Sequence, residues 1–564
     1  MNTLSPRRLS LRALIAALAV IQLAAPLSLA QTAAAKSAPA FSAAEREAAS
    51  QVKAETIRDV TLALTAKEMQ GRGTAQPGGD RAAQYIADRF AKLGLKPLGD
   101  QVEGKAGFLQ PIKFKAEQVQ PDASFKVGDV SLKYKDDFVI PPPLPQDPSK
   151  EASGPLAFVG YGVVSPDVKR DDLAGVDVKG KIVVVLTGRP NNVEAAAWSK
   201  VAGQQTVFGR LIGAGAAGFV IVYTAARVTQ PFSLAAAYLS RRRVSPADAQ
   251  GFPIKLPPIV LLSDVAAEKL FAGTGATFAD LKAKAQAGEF VSRDLNKPAT
   301  VSLRLKREEA TSSNVVGMLE GADAALKQEA VVYSAHYDAY GIEADGTIYP
   351  GAADNALGVG KLVAIAEAFA KAKAKPRRSI IFLAVTGEEY GLLGAEYWVK
   401  HPTWPLEKVA ADINFDGIGT EAWGELHYLV NYGAEHSELG QTVADVVAAM
   451  GGEIMADPFP EEAVFYRSDH YAFVKRGVPA VSPISAPAGD VNGFKERAAK
   501  WLITDYHMAT DTVQKDWSWK GAQQLSVVGL VAGMRVANQD AMPAWVSSSP
   551  FNRPRGTTQP PPRQ

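Results

Sequence analysis

Three apolar segments in the second half of the chain constrain the fold more than any other feature of the sequence. They cover residues 330–335, 379–385 and 411–415, and stretches of amphipathic helical pattern follow them. Apolar strands that alternate with helices are typical of a parallel sheet covered by helices on both faces. The chain from Asn314 onward is therefore predicted to form an α/β domain with a mixed, mostly parallel sheet sandwiched by helices.

Each of these segments ends in side chains that can bind a metal or move a proton. His336 and Asp338 follow the first segment, Glu388 and Glu389 follow the second, and Asp416 follows the third. Taken singly, such residues often have a structural role, for example as acidic residues in the first turn of a helix. The carboxyl ends of parallel strands, however, lie at one edge of a sheet, where such sheets place their ligands. Because such residues follow all three segments, the sequence predicts that they form one shared site.

The composition narrows the chemistry of this site. The 564 residues include no cysteine, so a metal would have to be held by histidine, aspartate and glutamate. Asp354, which precedes Asn355, and His507, which follows Tyr506, are further candidates. Asp354 alone would also suit the N-cap of the helix that follows it.

The ordered motifs resemble those of the co-catalytic zinc aminopeptidases. Relatives in this family include bacterial leucyl aminopeptidase, glutamate carboxypeptidase II, the transferrin receptor and the glutaminyl cyclases. The matching motifs are His336-x-Asp338, Gly351-x-x-Asp354-Asn355, Gly387-Glu388-Glu389-x-Gly391, Asn414-x-Asp416, Ser468-Asp469-His470 and His507-x-x-x-Asp511-Thr512. The resemblance extends from about Glu68 to Gly533, and it implies the zinc exopeptidase fold.

The resemblance implies a ligand set for two zinc ions per chain. Asp354 bridges both ions, His336 and Asp416 complete one site, and Glu389 and His507 complete the other. Each ion then has three protein ligands and keeps room for water and substrate. The peptide bond after the bridging aspartate is expected to be cis.

The resemblance also implies catalytic roles for three further residues. Glu388 is the general base, Asp338 orients His336, and Tyr506 steadies the oxyanion. A water that bridges two zinc ions about 3.5–4 Å apart has a pKa near 7, and a neighbouring carboxylate can take its proton and pass it to the leaving amine. Asp469 and His470 are expected to lie behind the ligands and not to bind metal.

The function implied is a zinc-dependent exopeptidase, in the first place an aminopeptidase that removes N-terminal residues from peptides. A carboxypeptidase or dipeptidase of the same fold is the alternative. A glutaminyl cyclase fits less well, because those enzymes use one zinc. A catalytically silent binding protein is a further alternative, although all ligand positions are intact. The net charge is +2 and no long basic block occurs, which excludes the usual nucleic-acid binding pattern.

The domain organisation is predicted from composition and from the same resemblance. The middle of the chain, with short strands and glycine turns, resembles the β-rich protease-associated domain that many members carry as an insertion. A proline-rich linker from Pro141 precedes it. The predicted parts are a signal peptide (1–30), an N-terminal part of the peptidase domain (42–150), the protease-associated domain (151–300), the catalytic domain (301–545) and a disordered tail (546–564).

The first thirty residues have the pattern of a secretory signal. Arg7, Arg8 and Arg12 precede an apolar run, and Ser28-Leu-Ala30 supplies a small-x-small cleavage site before Gln31. The run is interrupted by polar and proline residues and is shorter than a bilayer span requires. The mature protein is therefore expected to be periplasmic or secreted, without a membrane span.

Overall fold

The computed structural model describes residues 39–102, 104–141, 149–223, 231–249, 256–489 and 491–557. The predicted signal peptide (1–30), residues 142–148 of the predicted linker and residues 558–564 lie outside the described residues. The α-helices are α1 (Ala43–Gln51), α2 (Ala54–Thr65), α3 (Pro77–Lys92), α4 (Ala195–Val201), α5 (Gln204–Gly213), α6 (Phe232–Leu239), α7 (Asp264–Phe271), α8 (Phe278–Ala287), α9 (Leu357–Lys371), α10 (Leu393–Lys400), α11 (Glu438–Ala449), α12 (His470–Val474), α13 (Val491–Thr504) and α14 (Trp519–Asn538).

The strands are β1 (Lys96–Pro97), β2 (Gln101–Val102), β3 (Lys105–Ala106), β4 (Leu109–Val119), β5 (Ser124–Val127), β6 (Val130–Leu132), β7 (Phe138–Val139), β8 (Ser149–Phe158), β9 (Val164–Ser165), β10 (Arg170–Asp171), β11 (Ile182–Leu186), β12 (Gly218–Tyr223), β13 (Arg243–Pro246), β14 (Ile259–Ser263), β15 (Arg293–Leu319), β16 (Ala330–His336), β17 (Gly341–Ile342), β18 (Ile348–Tyr349), β19 (Ser379–Val385), β20 (Val409–Asn414), β21 (Leu426–Tyr432), β22 (Glu453–Ile454) and β23 (Ala480–Pro487).

The main sheet is built on four parallel strands in the order β19, β16, β20 and β23. The carboxyl end of β15 pairs antiparallel with β19 on one side, and β21 pairs antiparallel with β23 on the other. Every residue of β16, β19 and β20 is buried. One face packs against α2, α9 and α14, and the other packs against α10 and α12. The predicted mixed, mostly parallel sheet is confirmed.

A second hydrophobic core surrounds the parallel strands β8, β11, β12 and β14. The earlier part of β15 pairs antiparallel with β8, so this 27-residue strand belongs to both sheets. Phe125 of β5 and Phe138 of β7 are buried in the second core, although residues 42–150 are predicted to join the peptidase domain. These strands lie with the second core because their apolar partners are there. Helices α4 to α8 also lie between its strands in sequence, so this region is not built of strands and turns alone.

The prediction of a disordered tail is wrong for residues 546–557. Phe551 is 1% exposed and packs against Phe465 and Tyr471. Arg555 donates hydrogen bonds to the carbonyls of Val409 and Pro543. The segment is rich in proline, serine and arginine, but one buried aromatic side chain, Phe551, anchors it.

Among the described residues, no helix has the length and apolar character needed to cross a bilayer.

Candidate metal centre

Strand register brings the candidate residues to one edge of the main sheet. His336 ends β16 and pairs with Val385, the last residue of β19, while Ser334 pairs with Asn414 at the end of β20. Glu388 and Glu389 follow β19 within a short 3-10 turn, and Asp416 follows β20 by two residues. Since the three strands are parallel and end together, their carboxyl ends deliver these side chains to the same place.

The five side chains predicted as metal ligands form two groups that share Asp354. In the first group, Nε2 of His336 lies 3.1 Å from Oδ1 of Asp354 and 3.2 Å from Oδ1 of Asp416. In the second, Nε2 of His507 lies 3.3 Å from Oδ2 of Asp354 and 3.1 Å from Oε2 of Glu389. The donor atoms of each group lie within 4.8 Å of one another.

These distances fit a zinc-type cation. Ligand atoms at the corners of a tetrahedron with bonds of about 2 Å are about 3.3 Å apart, and the imidazole and carboxylate donors are the types that zinc takes. Asp354 offers a different oxygen to each group. The chemistry and the spacing of the donors therefore suit two cations joined by one carboxylate.

Asp354 is fixed by the turn that carries it. Both carboxylate oxygens of Asp511 accept hydrogen bonds from this turn, from the N–H of Ala353 at 2.9 Å and from that of Asp354 at 3.1 Å. The side chain of Asn355 donates to the carbonyl of Phe415 at 2.8 Å. The Asp354–Asn355 peptide is cis, as the resemblance implies. The bridging position is thus tied to both the His507 loop and the end of β20.

His507 stands on a loop, between α13 and α14, and not on a strand. Its φ is 61°, in the left-handed region that residues other than glycine seldom adopt. Its Nδ1 lies 3.1 Å from the hydroxyl of Tyr340, and its ring stacks on that of Tyr506 with centroids 3.6 Å apart. These contacts leave Nε2 directed toward Asp354 and Glu389.

Asp338 has more partners than the predicted role of orienting His336 requires. Its backbone carbonyl is 3.2 Å from Nδ1 of His336, whereas its carboxylate is 3.7 Å away. The carboxylate accepts hydrogen bonds from Thr74 Oγ1 at 2.9 Å and from the N–H of Glu388 at 3.2 Å. The backbone carbonyl of Asp338 therefore contacts His336, while its carboxylate binds the turn that carries Glu388.

Burial and neighbouring charges shift the pKa values of this centre in opposite directions. Burial, with the negative charge of Asp416, raises the pKa of Glu388 well above its ordinary value. Burial also raises that of Asp354, but hydrogen bonds with His336 and His507 outweigh it and leave the pKa of Asp354 below its ordinary value. Burial lowers the pKa of His507, which favours the neutral imidazole that binds a metal.

A cleft opens beside the two groups. Asp354, Glu388 and Asp416 line it, together with Tyr506 and Arg467. Nη2 of Arg467 donates to the hydroxyl of Tyr506 at 3.2 Å. The rest of the lining is mainly apolar and includes Ile418, Val430, Phe459, Val464, Ile484, Phe494 and Leu502. The arrangement can hold an extended apolar group next to a metal and a carboxylate.

Asp469 and His470 are buried but are not donors in either group. Their side-chain polar atoms have no hydrogen-bond partner within the part of the chain that the structure describes. Burial raises the pKa of Asp469 and lowers that of His470 to about 4. Both side chains are therefore stabilised in their neutral forms.

The sheet thus places paired histidine and acidic donors at its carboxyl edge, a donor set that suits a metal ion. Residues 314–531 match the model of peptidase family M28. This segment contains all the predicted metal-binding and catalytic residues, and the match agrees with the family that the motifs resemble.

Two curated proteins and one solved structure illustrate the similarity. The vacuolar membrane protease of Clavispora lusitaniae is 26% identical over 203 residues, which is 36% of this chain and 17% of that protein. The probable leucine aminopeptidase 2 of Aspergillus oryzae is 27% identical over 223 residues, 37% of this chain and 41% of that protein. The alignment spans less than half the length of either relative.

A zinc aminopeptidase from Bacillus subtilis has the same fold, with a TM-score of 0.53 and 17% identity over 87% of this chain and 97% of that one.

Four residues outside the predicted site also contact the centre. Thr74 reaches Asp338 from the amino-terminal part of the chain, and Arg72 donates to the carbonyls of Tyr337 and Gly351. Tyr340 contacts His507, and Arg241 donates to the His507 carbonyl from a segment more than two hundred residues earlier in sequence. Tyr340 stands two residues after Asp338, so its proximity follows from the sequence. The contacts of Thr74 and Arg241 become visible only once the chain is folded.

Proposed function

We propose that this protein is a zinc-dependent exopeptidase that acts as an aminopeptidase on peptide substrates. The observation that carries the proposal is the pair of donor groups that share Asp354 beside an apolar cleft. His336 and Asp416 would hold one zinc ion, Glu389 and His507 the other, and Asp354 would bridge them. When bound, two such ions supply an acidified water and polarise the substrate carbonyl.

The remaining residues have roles that follow from their positions. Glu388 belongs to neither donor group, lines the cleft and has its Oε2 3.9 Å from Nε2 of His336. It can therefore take a proton at this oxygen and return it to the leaving amine. Arg467 donates to the Tyr506 hydroxyl, so the hydroxyl proton is free to point toward a developing oxyanion. Asp338 keeps the Glu388 turn in place.

The amino-terminal specificity rests on the charges around the cleft and on the relatives. A carboxypeptidase needs a cation for the substrate's terminal carboxylate, and Arg467 is the basic residue among the described lining residues. Its Nη1 donates to Glu462 at 2.9 Å and its Nη2 donates to Tyr506, so both groups are already engaged. Two of the similar proteins are named aminopeptidases. A carboxypeptidase or dipeptidase remains the second candidate, and it would require Arg467 to exchange partners.

The test combines metal analysis with a choice of substrates. We expect two zinc ions per chain and hydrolysis of leucyl-nitroanilide in preference to the lysyl compound, because the cleft is mainly apolar. Activity should be lost with a chelator and return with zinc, while N-blocked dipeptides should resist hydrolysis. Faster cleavage of the blocked dipeptides would identify a carboxypeptidase. Absence of any hydrolysis by the zinc-loaded protein would identify a binding protein.

We further propose export and a modular organisation. The pattern of residues 1–30 supports cleavage before Gln31, with the mature protein periplasmic or secreted. The relatives named vacuolar membrane proteases also belong, by their name, to a membrane-bounded compartment. The separate second core supports an inserted protease-associated domain, with its start moved toward residue 119. N-terminal sequencing of protein from an expressing cell tests the cleavage site.

A further inference from the structure

An arginine from outside residues 314–531, the segment that matches the family model, lies against the candidate metal centre. Arg241 stands in the short connection between α6 and β13 and is 3% exposed. Arginine is seldom buried to this degree unless its charge has a specific partner. The contacts of this side chain therefore indicate why it is there.

The Arg241 guanidinium is enclosed by aromatic rings. Its central carbon lies 4.0 Å from the ring centroid of Tyr340, 4.4 Å from that of Tyr349 and 5.6 Å from that of Tyr238. A cation over an aromatic face is attracted by the ring quadrupole, and more strongly when desolvated. Its Nη2 donates a hydrogen bond to the backbone carbonyl of His507. The Nε and Nη1 atoms have no acceptor among the described residues.

These contacts hold His507 from two sides. Arg241 binds the His507 backbone directly, and it packs on the Tyr340 ring, whose hydroxyl meets Nδ1 of His507. His507 has a left-handed backbone conformation, which persists only where the surroundings enforce it. The carbonyl of that residue is the atom that Arg241 holds.

We propose that Arg241 is a positioning residue for His507, so that metal binding by the Glu389–His507 group depends on a side chain supplied from the connection between α6 and β13. This inference rests on the proposed function, since it takes His507 to be a metal ligand. The described contacts of Arg241 do not include His336 or Asp416, so the other group should bind metal independently of it. Partners that orient a metal ligand commonly change metal affinity by about 10–100-fold.

The test is an equilibrium zinc titration of metal-free protein, with a chromophoric chelator as competitor. In Arg241→Met, which keeps a stem of similar length, one of the two binding steps should weaken by about 10–100-fold while the other is unchanged. The weakened step should be the one that Glu389→Gln also weakens. Arg241→Lys keeps the charge and a donor and should recover part of the affinity.

Arg243→Met is the matched control. Arg243 comes from the same segment, stacks on Tyr238 at 5.0 Å and donates to the carbonyl of Tyr238. The described contacts of Arg243 do not include His507 or Tyr340, so both binding steps should match the wild type. Thermal unfolding of the metal-free variants shows whether either substitution acts through general stability.

The outcomes separate this inference from the proposed function. A wild-type protein that binds fewer than two zinc ions would overturn the proposed function itself. If the wild type binds zinc in two steps and Arg241→Met shows the same two affinities, only the role of Arg241 is overturned. If Arg241→Met fails to fold, Arg241→Lys replaces it, because it keeps the charge and loses the planar guanidinium that the tyrosine rings enclose. Weakening of the same step in Arg241→Lys supports the inference, and unchanged binding overturns it.

Discussion

The two halves of the candidate metal centre are built in different ways. The strand half consists of His336 and Asp416, which stand at the ends of β16 and β20, and the His336 side chain is 1% exposed. The loop half consists of Glu389, which follows β19, and His507, whose side chain is 18% exposed on a loop with a left-handed backbone. Sites on strands are held more precisely than sites on loops. The sheet positions His336 and Asp416, and Glu389 follows β19 directly, whereas His507 needs Tyr340 and Arg241.

The largest effect that tests this comparison is expected at the adjacent glutamates. Glu388 lies next to the strand half and belongs to neither donor group, so Glu388→Gln should lower kcat by about 10²–10⁴-fold and leave both zinc ions bound. Glu389→Gln weakens a donor of the loop half and should lower the zinc content, with partial recovery in excess zinc. Side-by-side measurement of kcat and bound zinc checks both. Near-normal turnover in Glu388→Gln, or loss of zinc equal to that of Glu389→Gln, would contradict the assignment.

An intermediate effect is expected at Asp511, which supports the residue that both halves share. Asp511→Asn replaces a double acceptor by a group with one acceptor oxygen, while two N–H donors of the Asp354 turn remain. Both zinc-binding steps should weaken, by about 10–100-fold. Asp516→Asn, at an exposed carboxylate paired with Arg497, is the control and should change neither step. Weakening of only one zinc-binding step would show that the turn supports one donor group and not the shared Asp354.

The smallest effect is expected at Thr74, which reaches the strand half from the amino-terminal part of the chain. Thr74→Val removes the hydrogen bond to the Asp338 carboxylate and keeps the shape of the side chain. A net contribution of about 0.5–1.5 kcal/mol corresponds to a fall in kcat of roughly 2- to 12-fold. Zinc content should not change. Thr74→Ser keeps a hydroxyl and should behave as the wild type; an equal loss in the serine variant would refute the hydrogen-bond explanation.

The strand half could be anticipated from sequence more readily than the loop half. Apolar runs that end in His336 and Asp416 indicate parallel strands with polar ends, and the geometry of a parallel sheet then requires these ends to meet. Nothing in local pattern indicates that His507 joins them, because a loop has no period from which its direction can be deduced. The motif resemblance supplied His507.

Neither the local sequence pattern nor the motif resemblance predicts contacts between distant segments. Arg241 and Thr74 are ordinary residues in their local sequence, and only the folded chain places them beside His507 and Asp338. Phe551 was missed for a related reason. One aromatic residue in a segment rich in proline and serine does not alter the local composition enough to predict that it packs into a core.

The long strand β15 has a consequence for how the chain folds during synthesis. β4 pairs with β15 from Leu305↔Val119 to Val315↔Leu109, so each β4 residue precedes its β15 partner by about two hundred residues. At about 5–20 residues per second, this delay is on the order of 10–40 s. Strand β8 likewise lacks its β15 neighbour until residues 293–304 have left the ribosome. Neither sheet can be completed on a nascent chain that stops short of β15, so both sheets are completed late.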